Sequence, residues 1–471
     1  MKKETVNREY ILESPVFSVL MTVSIPLMLD NLIRTFYTVI DGLYVAQLSP
    51  EDFAATAFTW PLNFLFISTG MGIGVGATAL TAKFLGADDL KKTQVYIKNT
   101  ILMTVSIGLI LSLFGYVTSY FLLKWMGAEG SFLDKAHIYL KINFIGLFFD
   151  FAYFAYQSVL NAQGNTRTIT IIGAISMVTN IILDPIFIFD TIPLLGMKGL
   201  GWGVAGAAWA TVISKVVLLV LAFYIVQLKG SIAIVWDSWK LSTKVCLHIL
   251  KVGIPSALGY SGAALGFTVM NAMIQSYGTN TLAAFSMVNR ISDILMQPQL
   301  GIGMALTSLI GQNIGNANYD RAITFFKRAV QVILSMSFLA SILIFVFRPQ
   351  ILGIFITDMS NKDLWYQAQE YLNYTAFIIF FMGMFSAWNG FFQGFGQTQY
   401  SMFMSMGRLW LIRIPIILLF NQFTDLGSTG IWIAMLISNM MIVVLGYIIF
   451  RRVNWRKYMY VTDKENPVTE G

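Results

Sequence analysis

Residues 24–41 read SIPLMLDNLIRTFYTVID, and their outline returns roughly 230 positions later as GIPSALGYSGAALGFTVMN at 253–271. Ser24-Ile25-Pro26 answers to Gly253-Ile254-Pro255, and YTVID at 37–41 answers to FTVMN at 267–271. Further matches follow in the same order. Leu85-Gly86-Ala87 returns as Ile314-Gly315-Asn316, QGNT at 163–166 as FGQT at 395–398, and GAAWATVIS at 206–214 as GIWIAMLIS at 430–438. Ordered matches at a nearly constant shift mark a duplicated unit. The copies differ at Asp41, whose counterpart is Asn271. A carboxylate kept in one copy and neutralised in the other is the first candidate for function.

The composition sets the solvent of this chain. Of its 471 residues 56% are hydrophobic and 12% are charged, whereas a soluble protein carries about 25% charged residues. Apolar stretches long enough to span a bilayer recur along the whole length. The expected fold class is an all-α polytopic membrane protein. With the amino terminus inside, most of the 31 Lys and Arg residues fall on the inner side. The net charge of +7 is then the positive-inside bias, and no nucleic-acid partner is expected. The lone Cys246 excludes an intramolecular disulfide framework, and His137 and His248 are too far apart in sequence to suggest a zinc motif. No cofactor is expected. The first fifteen residues are polar and read as a cytoplasmic tail, not a cleaved signal. The expected location is the inner (plasma) membrane, multi-pass, with both termini cytoplasmic.

Hydropathy predicts spans near 16–46, 53–80, 95–121, 137–160, 166–190 and 203–228 in the first copy. The second copy gives 249–277, 281–309, 322–347, 366–394, 398–421 and 428–450. Two six-helix lobes, 16–228 and 249–450, are expected, with a tail at 451–471. The segment 229–248, carrying Trp236, Trp239, Lys240 and Lys244, reads as an interfacial linker on the inner side. Six spans per copy make both copies enter from the same side, so the repeats are parallel ones related by an axis along the membrane normal. Two such lobes imply a cleft between them that opens alternately to either side.

Ionisable residues inside the membrane are costly and default to functional candidates. They are Asp30, Arg34, Asp41, Asp150, Asp184, Lys215, Arg290, Asp293, Arg408 and Arg413. Asp30 and Arg34 have the spacing of an intrahelical ion pair, and Arg290 and Asp293 can satisfy each other likewise. Lys215, Arg408 and Arg413 can snorkel or pair across helices. Asp150 has no evident partner. Asp41 has no cation three or four residues away on either side. On a helical wheel Asp30, Arg34, Tyr37 and Asp41 share an arc of about 60°. Asn180 and Asp184, in NIILDP at 180–185, share a face of the fifth helix. Asp41 and Asp184 both lie roughly 9 Å below the outer boundary, at about 1.5 Å per residue. Two carboxylates at one depth in a partly dry site cannot both be charged cheaply. Together they can hold a proton, or hold Na⁺ with Asn180 and backbone carbonyls, which makes them a coupling-ion site. The competing reading has each carboxylate held by a Lys or Arg elsewhere.

Pro26 and Pro185 interrupt their helices and are candidate hinges, although helix shaping alone also accounts for them. Trp60, Phe64, Tyr153, Tyr156 and Trp388 are candidates for stacking on flat or cationic substrates in the cleft, with packing or lipid-facing roles as the alternative. The run GMGIGVG at 70–76 lies in an apolar helix without a P-loop lysine, so it reads as a close-packing surface.

Several motifs together resemble the multidrug and toxic compound extrusion (MATE) transporters. They are SIP at 24–26, VID at 39–41, FLGADD at 84–89, QGNTR at 163–167, NIILDP at 180–185, GVAGAAWATVIS at 203–214 and LIGQNIGNAN at 309–318. The resemblance implies a V-shaped pair of six-helix lobes and cation-driven export of varied, often cationic compounds. It also implies an amino-terminal ion site in which Asp41 is the first-helix acid and Asn180 and Asp184 are its fifth-helix partners. Tyr37 matches a tyrosine beside them in DinF-like members. Members resembling the NorM branch also carry acids in the seventh and tenth helices. Here the buried parts of those helices have none, and Glu370 stands at the outer mouth. The pattern is DinF-like.

The resulting expectation is an antiporter that exports drug-like small molecules in exchange for H⁺ or Na⁺, working as a monomer among membrane lipids. A lipid-linked oligosaccharide flippase and a passive channel are the alternatives. An enzyme is not expected, because no nucleophile, metal cluster or His/Asp constellation stands out.

Overall fold

The computed structural model describes residues 7–193, 196–228, 241–353 and 361–459. A short helix α1 (Arg8–Glu13) leads into α2 (Val16–Ala46), α3 (Pro50–Gly86), α4 (Leu90–Trp125) and α5 (Gly130–Ala162). The first copy closes with α6 (Thr166–Ile188) and α7 (Gly203–Leu228). The second copy runs through α8 (Thr243–Gln275), α9 (Thr279–Gly315), α10 (Tyr319–Gly353) and α11 (Lys362–Gly394). It ends with α12 (Thr398–Met406), a π-helical segment (Gly407–Arg413), α13 (Ile414–Phe423) and α14 (Ser428–Arg452). Counting α12 to α13 as one, 12 helices among the described residues are long and apolar enough to cross a membrane. Among the described residues the only extended pairing is an isolated bridge between Thr191 and Lys198.

Helix ends follow local chemistry. Asp89 accepts a hydrogen bond from the Lys92 amide (2.9 Å) to start α4, and Asn361 accepts one from the Leu364 amide (3.1 Å) to start α11. The helices outrun the predicted spans at most ends, because capped polar turns extend beyond the apolar stretch that hydropathy detects. The larger difference lies at 398–421, predicted as one regular helix. Pro415 lacks an amide and would clash with the Leu411 carbonyl in an unbroken α-helix. The chain changes to π geometry over Gly407–Arg413 just before it. Within the expected linker, 229–240 lies outside the described residues, including Trp236, Trp239 and Lys240; Lys244 belongs to the first turn of α8. The tail residues 1–6 and 460–471 likewise lie outside them.

The chain forms two compact units that interleave the copies. One comprises Met1–Met28, Ala82–Asp88 and Gly262–Gly471, and the other Leu29–Thr81 and Asp89–Ser261. Glycines explain the exchange. In the second of these units Gly72 of α3 faces α8 so closely that a Cβ would lie 2.6 Å from the Ala257 Cβ. In the first, Gly301 of α9 meets α2 in the equivalent way, a Cβ there falling 2.6 Å from the Met28 amide nitrogen. A second matched pair joins the ends of α3 and α9. A Cβ on Gly86 would lie 2.6 Å from the Gln312 Cα, and one on Gly315 would lie 2.9 Å from the Ala87 amide nitrogen. Backbones can approach this closely only where one helix presents no side chain at the crossing.

Around these crossings α4 packs on α5 and α5 on α7 in one unit, and α9 and α10 pack on α11 in the other. The latter unit has two apolar clusters. One is built around Leu306, Phe391, Phe392 and Trp455, the other around Phe285, Tyr371 and Trp432.

Gly301→Ala and Gly315→Ala are each expected to lower the thermal stability of the purified chain, at a cost of about 1–3 kcal/mol for overpacking. Gly353→Ala, where a Cβ meets nothing within 4 Å, is the control that should leave the transition unchanged. A thermal-shift series in detergent reads all three, and equal transitions would remove the crossings as the reason for glycine.

Candidate functional site

The site is built by α2, α5, α6 and α7 within one compact unit. Its floor depends on how α6 ends. Pro185 occupies the last turn of α6, and the connection to α7 folds back to bond the carbonyls that the helix leaves free. The amides of Leu200, Trp202 and Gly201 donate to the carbonyls of Ile186 (2.8 Å), Phe187 (2.9 Å) and Phe189 (3.1 Å). Gly201 is in the left-handed region at φ +64°, and a side chain there would run into Asp190. This stapled terminus fixes Asp184 one residue before the proline.

Asp184 is fully buried and Asn180 is 1% exposed. With its amide oriented to satisfy both ends, Asn180 donates to Asp184 Oδ2 at 2.8 Å and accepts from the Thr211 backbone amide of α7 at 3.2 Å. Tyr37 of α2 lies 3.4 Å from Thr211, hydroxyl to hydroxyl. One turn further along α2, Asp41 turns inward, and its Oδ1 is buried with no hydrogen-bond partner. Asp41 and Asp184 are within electrostatic reach of each other, and both act on Tyr37 and on Tyr139 of α5. Among the described residues no Lys or Arg forms an ion pair with either carboxylate. The structure therefore brings together Asp41, Asp184, Asn180 and Tyr37, and it adds Tyr139 and Thr211. Thr211 lies in the repeated GAAWATVIS stretch and so carried a signal; nothing in the sequence singles out Tyr139.

The donor set around the two acids is all oxygen and amide. Such a set suits a proton or a hard monovalent cation, and the unpartnered Oδ1 of Asp41 is the atom that such a guest would satisfy. Na⁺ here would draw on Asp41, Asp184 and the oxygen of Asn180, the last after rotation of its amide.

Beside these acids lies a cavity of about 120 Å³, lined among others by Arg34, Tyr37, Asp150, Asn180, Thr211 and Lys215. Its charges are paired. Arg34 Nε donates to Asp30 Oδ2 at 2.8 Å, as the four-residue spacing predicts. Lys215 Nζ donates to Asp150 Oδ2 at 2.7 Å, which supplies the partner that Asp150 lacked in the sequence. Arg290 and Asp293 form no ion pair among the described residues, and both are exposed. Arg408 and Arg413 are buried without a carboxylate partner among the described residues.

The aromatic candidates fall into different settings. Trp60 and Phe64 stack on each other at 5.2 Å, and Trp60 is exposed. Tyr153 is buried within electrostatic reach of the Asp30–Arg34 pair, and Tyr156 packs edge-on against Phe223. Trp388 is buried among Phe326, Phe391, Phe392 and Phe450, so its ring faces are taken by other rings. Pro26 lies inside α2 two residues before the boundary between the compact units at Met28.

Removing one member of the Asp150–Lys215 pair leaves a buried charge uncompensated, which typically costs about 3–5 kcal/mol. Lys215→Met is accordingly expected to lower the melting transition sharply, and Asp150→Leu in the same chain to restore most of the loss. A double-mutant cycle followed by thermal unfolding measures this; additive effects would show that the two groups do not interact.

Comparison with known proteins gives one consistent result. The MatE family model matches residues 26–186 and 255–419, one match in each copy. The "Probable multidrug resistance protein YoeA" of Bacillus subtilis is 26% identical over 419 residues, covering 87% of this chain and 88% of that protein. The "FAD transporter" of Shewanella oneidensis is 24% identical, covering 95% and 97%. A solved structure described as the outward-facing conformation of a multidrug resistance MATE family transporter of the MOP superfamily is 25% identical. It superposes with a TM-score of 0.87 over 95% of this chain and 98% of that one.

Proposed function

This chain belongs to the MatE family, and from that premise we propose that it is a secondary active efflux antiporter that exchanges amphipathic small molecules for H⁺ or Na⁺. It is a multi-pass membrane transporter and not an enzyme. The observation that carries the finer reading is the buried acid pair, Asp41 and Asp184, which no Lys or Arg neutralises among the described residues.

The energetics favour a coupling role. An uncompensated carboxylate in a dry helix bundle is costly, so the pair gains from any cation that enters it. In an antiporter, the ion favours one conformation and the outgoing solute favours the other. Neither need touch the other, because each only has to bind its preferred state more tightly. Asn180, Thr211 and Tyr37 hold the acids in register, and the cavity beside them gives the ion or a solute room to approach. In this reading the membrane is the inner (plasma) membrane with both termini cytoplasmic, the working unit is a monomer, and no cofactor beyond the coupling ion takes part.

The substrate class is broad in this proposal. Drug-like compounds follow from relatives named as multidrug resistance proteins, and the relative named an FAD transporter extends the range to an anionic flavin nucleotide.

Reconstitution into proteoliposomes with ethidium as the reporter dye tests the coupling. Wild-type protein is expected to move dye only when an H⁺ or a Na⁺ gradient is imposed. Asp41→Asn and Asp184→Asn should each reduce gradient-driven flux by about tenfold or more, and Asn180→Ala by less, since the carboxylates remain. Full gradient-driven flux in both acid variants would end the coupling assignment. Flux without any gradient would make the protein a passive channel, and movement of lipid-linked sugar but no dye would make it a flippase.

A further inference from the structure

The helices that repeat α6 and α7 in the second copy carry buried charge of the opposite sign, although not at the aligned positions. Laying NIILDP at 180–185 on LIRIP at 411–415 sets Pro185 on Pro415, and GAAWATVISK at 206–215 on GIWIAMLISN at 430–439 sets Ser214 on Ser438 and Lys215 on Asn439. In the first copy this helix pair, α6 and α7, presents Asn180 and Asp184, four residues apart on one α-helical face. In the second copy the same pair presents Arg408 and Arg413, five residues apart across the π segment. Bonds in a π-helix run five residues instead of four, so these two arginines share a face as Asn180 and Asp184 do.

Both guanidinium groups are deeply buried, at 4% and 1% exposure for Arg408 and Arg413. Their partners are neutral. Arg413 Nε donates to Ser438 Oγ at 2.9 Å, and its Nη1 reaches Met270 Sδ at 3.8 Å. Arg408 Nη1 donates to Asn439 Oδ1 at 3.2 Å and touches Met382 Sδ, while its guanidinium lies over Phe385 at 4.7 Å. The Nε of Arg408 is buried with no acceptor. A guanidinium has five N–H donors in a fixed fork, and most of those here meet no oxygen among the described residues. The two groups reach adjacent residues of α14, Arg413 at Ser438 and Arg408 at Asn439. The carboxylate of Asp293 acts electrostatically on Tyr371, as Arg413 does, but it is exposed and forms no ion pair with either arginine.

We propose that Arg408 and Arg413 form an anion-binding site in the second copy, and that it takes the carboxylate or phosphate group of a transported solute. The planar fork of arginine fits such groups in two-point fashion, and a second cation nearby strengthens the hold. Depth identifies the source of the anion. Each arginine is roughly 15 Å along the helix from one end of the Thr398–Phe423 span, beyond the reach of a lipid phosphate held at the bilayer surface. The assignment of the anion to a transported solute rests on the efflux reading; the binding step does not.

The test uses the full chain purified in detergent, without any gradient, and follows the fluorescence anisotropy of carboxyfluorescein. Wild-type protein should bind it saturably, with competition by inorganic phosphate and none by ethidium. Arg408→Gln and Arg413→Gln should each weaken binding by about tenfold, and Arg413→Lys by about threefold, since it keeps the charge but loses the fork. Asp41→Asn should bind carboxyfluorescein as wild type does, which separates failure of this site from failure of the coupling site. Wild-type protein that binds no carboxyfluorescein, or binds it without competition by phosphate, would overturn the proposal whether or not the variants fold. Equal binding by all the arginine variants would also overturn it.

Discussion

A charged side chain inside a helix bundle in lipid has no water to solvate it, so it must find a counter-charge, a proton or a bound ion. That constraint sorts the polar interior of this protein. Asp30 meets Arg34 on the same helix, and Asp150 meets Lys215 across two helices. With those pairs closed and Arg290 and Asp293 exposed, the interior charges left over among the described residues are Asp41 and Asp184 in one compact unit and Arg408 and Arg413 in the other. The leftovers are the informative residues, since a scaffold has no need of a buried charge without a partner. They are also segregated by sign. The balance of acids and bases across the whole sequence therefore conceals an acidic interior in one unit and a basic interior in the other.

Close backbone approach is the second constraint. Gly72 against Ala257 and Gly301 against Met28 are the same contact made twice, and so are Gly86 against Gln312 and Gly315 against Lys83. They commit the start of α2 to the unit formed mainly by the second copy, and the start of α8 to the unit formed mainly by the first. One consequence falls on α2. The helix bearing the polar stripe Asp30, Arg34, Tyr37 and Asp41 also carries Pro26, on the far side of the unit boundary at Met28. Under the antiport reading, an event at Asp41 and a change in helix shape at Pro26 would act on one continuous rod.

Much of this was legible in the sequence, and the gaps have physical causes. Periodicity gave the twelve spans, because apolar length is a local property. Equal depth along two helices gave the association of Asp41 with Asp184, and the turn spacing gave Asn180 and the Asp30–Arg34 pair. Spacing misled at Arg290 and Asp293: a three-residue separation permits an ion pair, but exposed side chains gain little by forming one. Lys215 with Asp150 was hidden because their 65-residue separation is bridged only by the packing of α7 on α5. Tyr139 was hidden for the same reason. Trp388 shows the limit of composition, since an aromatic side chain reads alike in a cleft and in a ring cluster. The π segment was hidden by a subtler effect, in that Pro415 announces a broken helix without saying which irregular geometry will absorb the break.

That last point bears on how a duplicated scaffold acquires two different sites. Pro185 and Pro415 stand at equivalent positions, yet α6 continues as a regular α-helix up to its proline while the second copy inserts π geometry. A π segment spaces its bonds five residues apart instead of four, so side chains before it are rotated relative to those after it. In the first copy a spacing of four places Asn180 under Asp184. In the second, a spacing of five places Arg408 under Arg413, on the face met by Ser438 and Asn439 of α14. Substitution alone would have set new side chains in the old register. The change of helix type moves the register as well, and it lets two bulky guanidinium groups share an interior face.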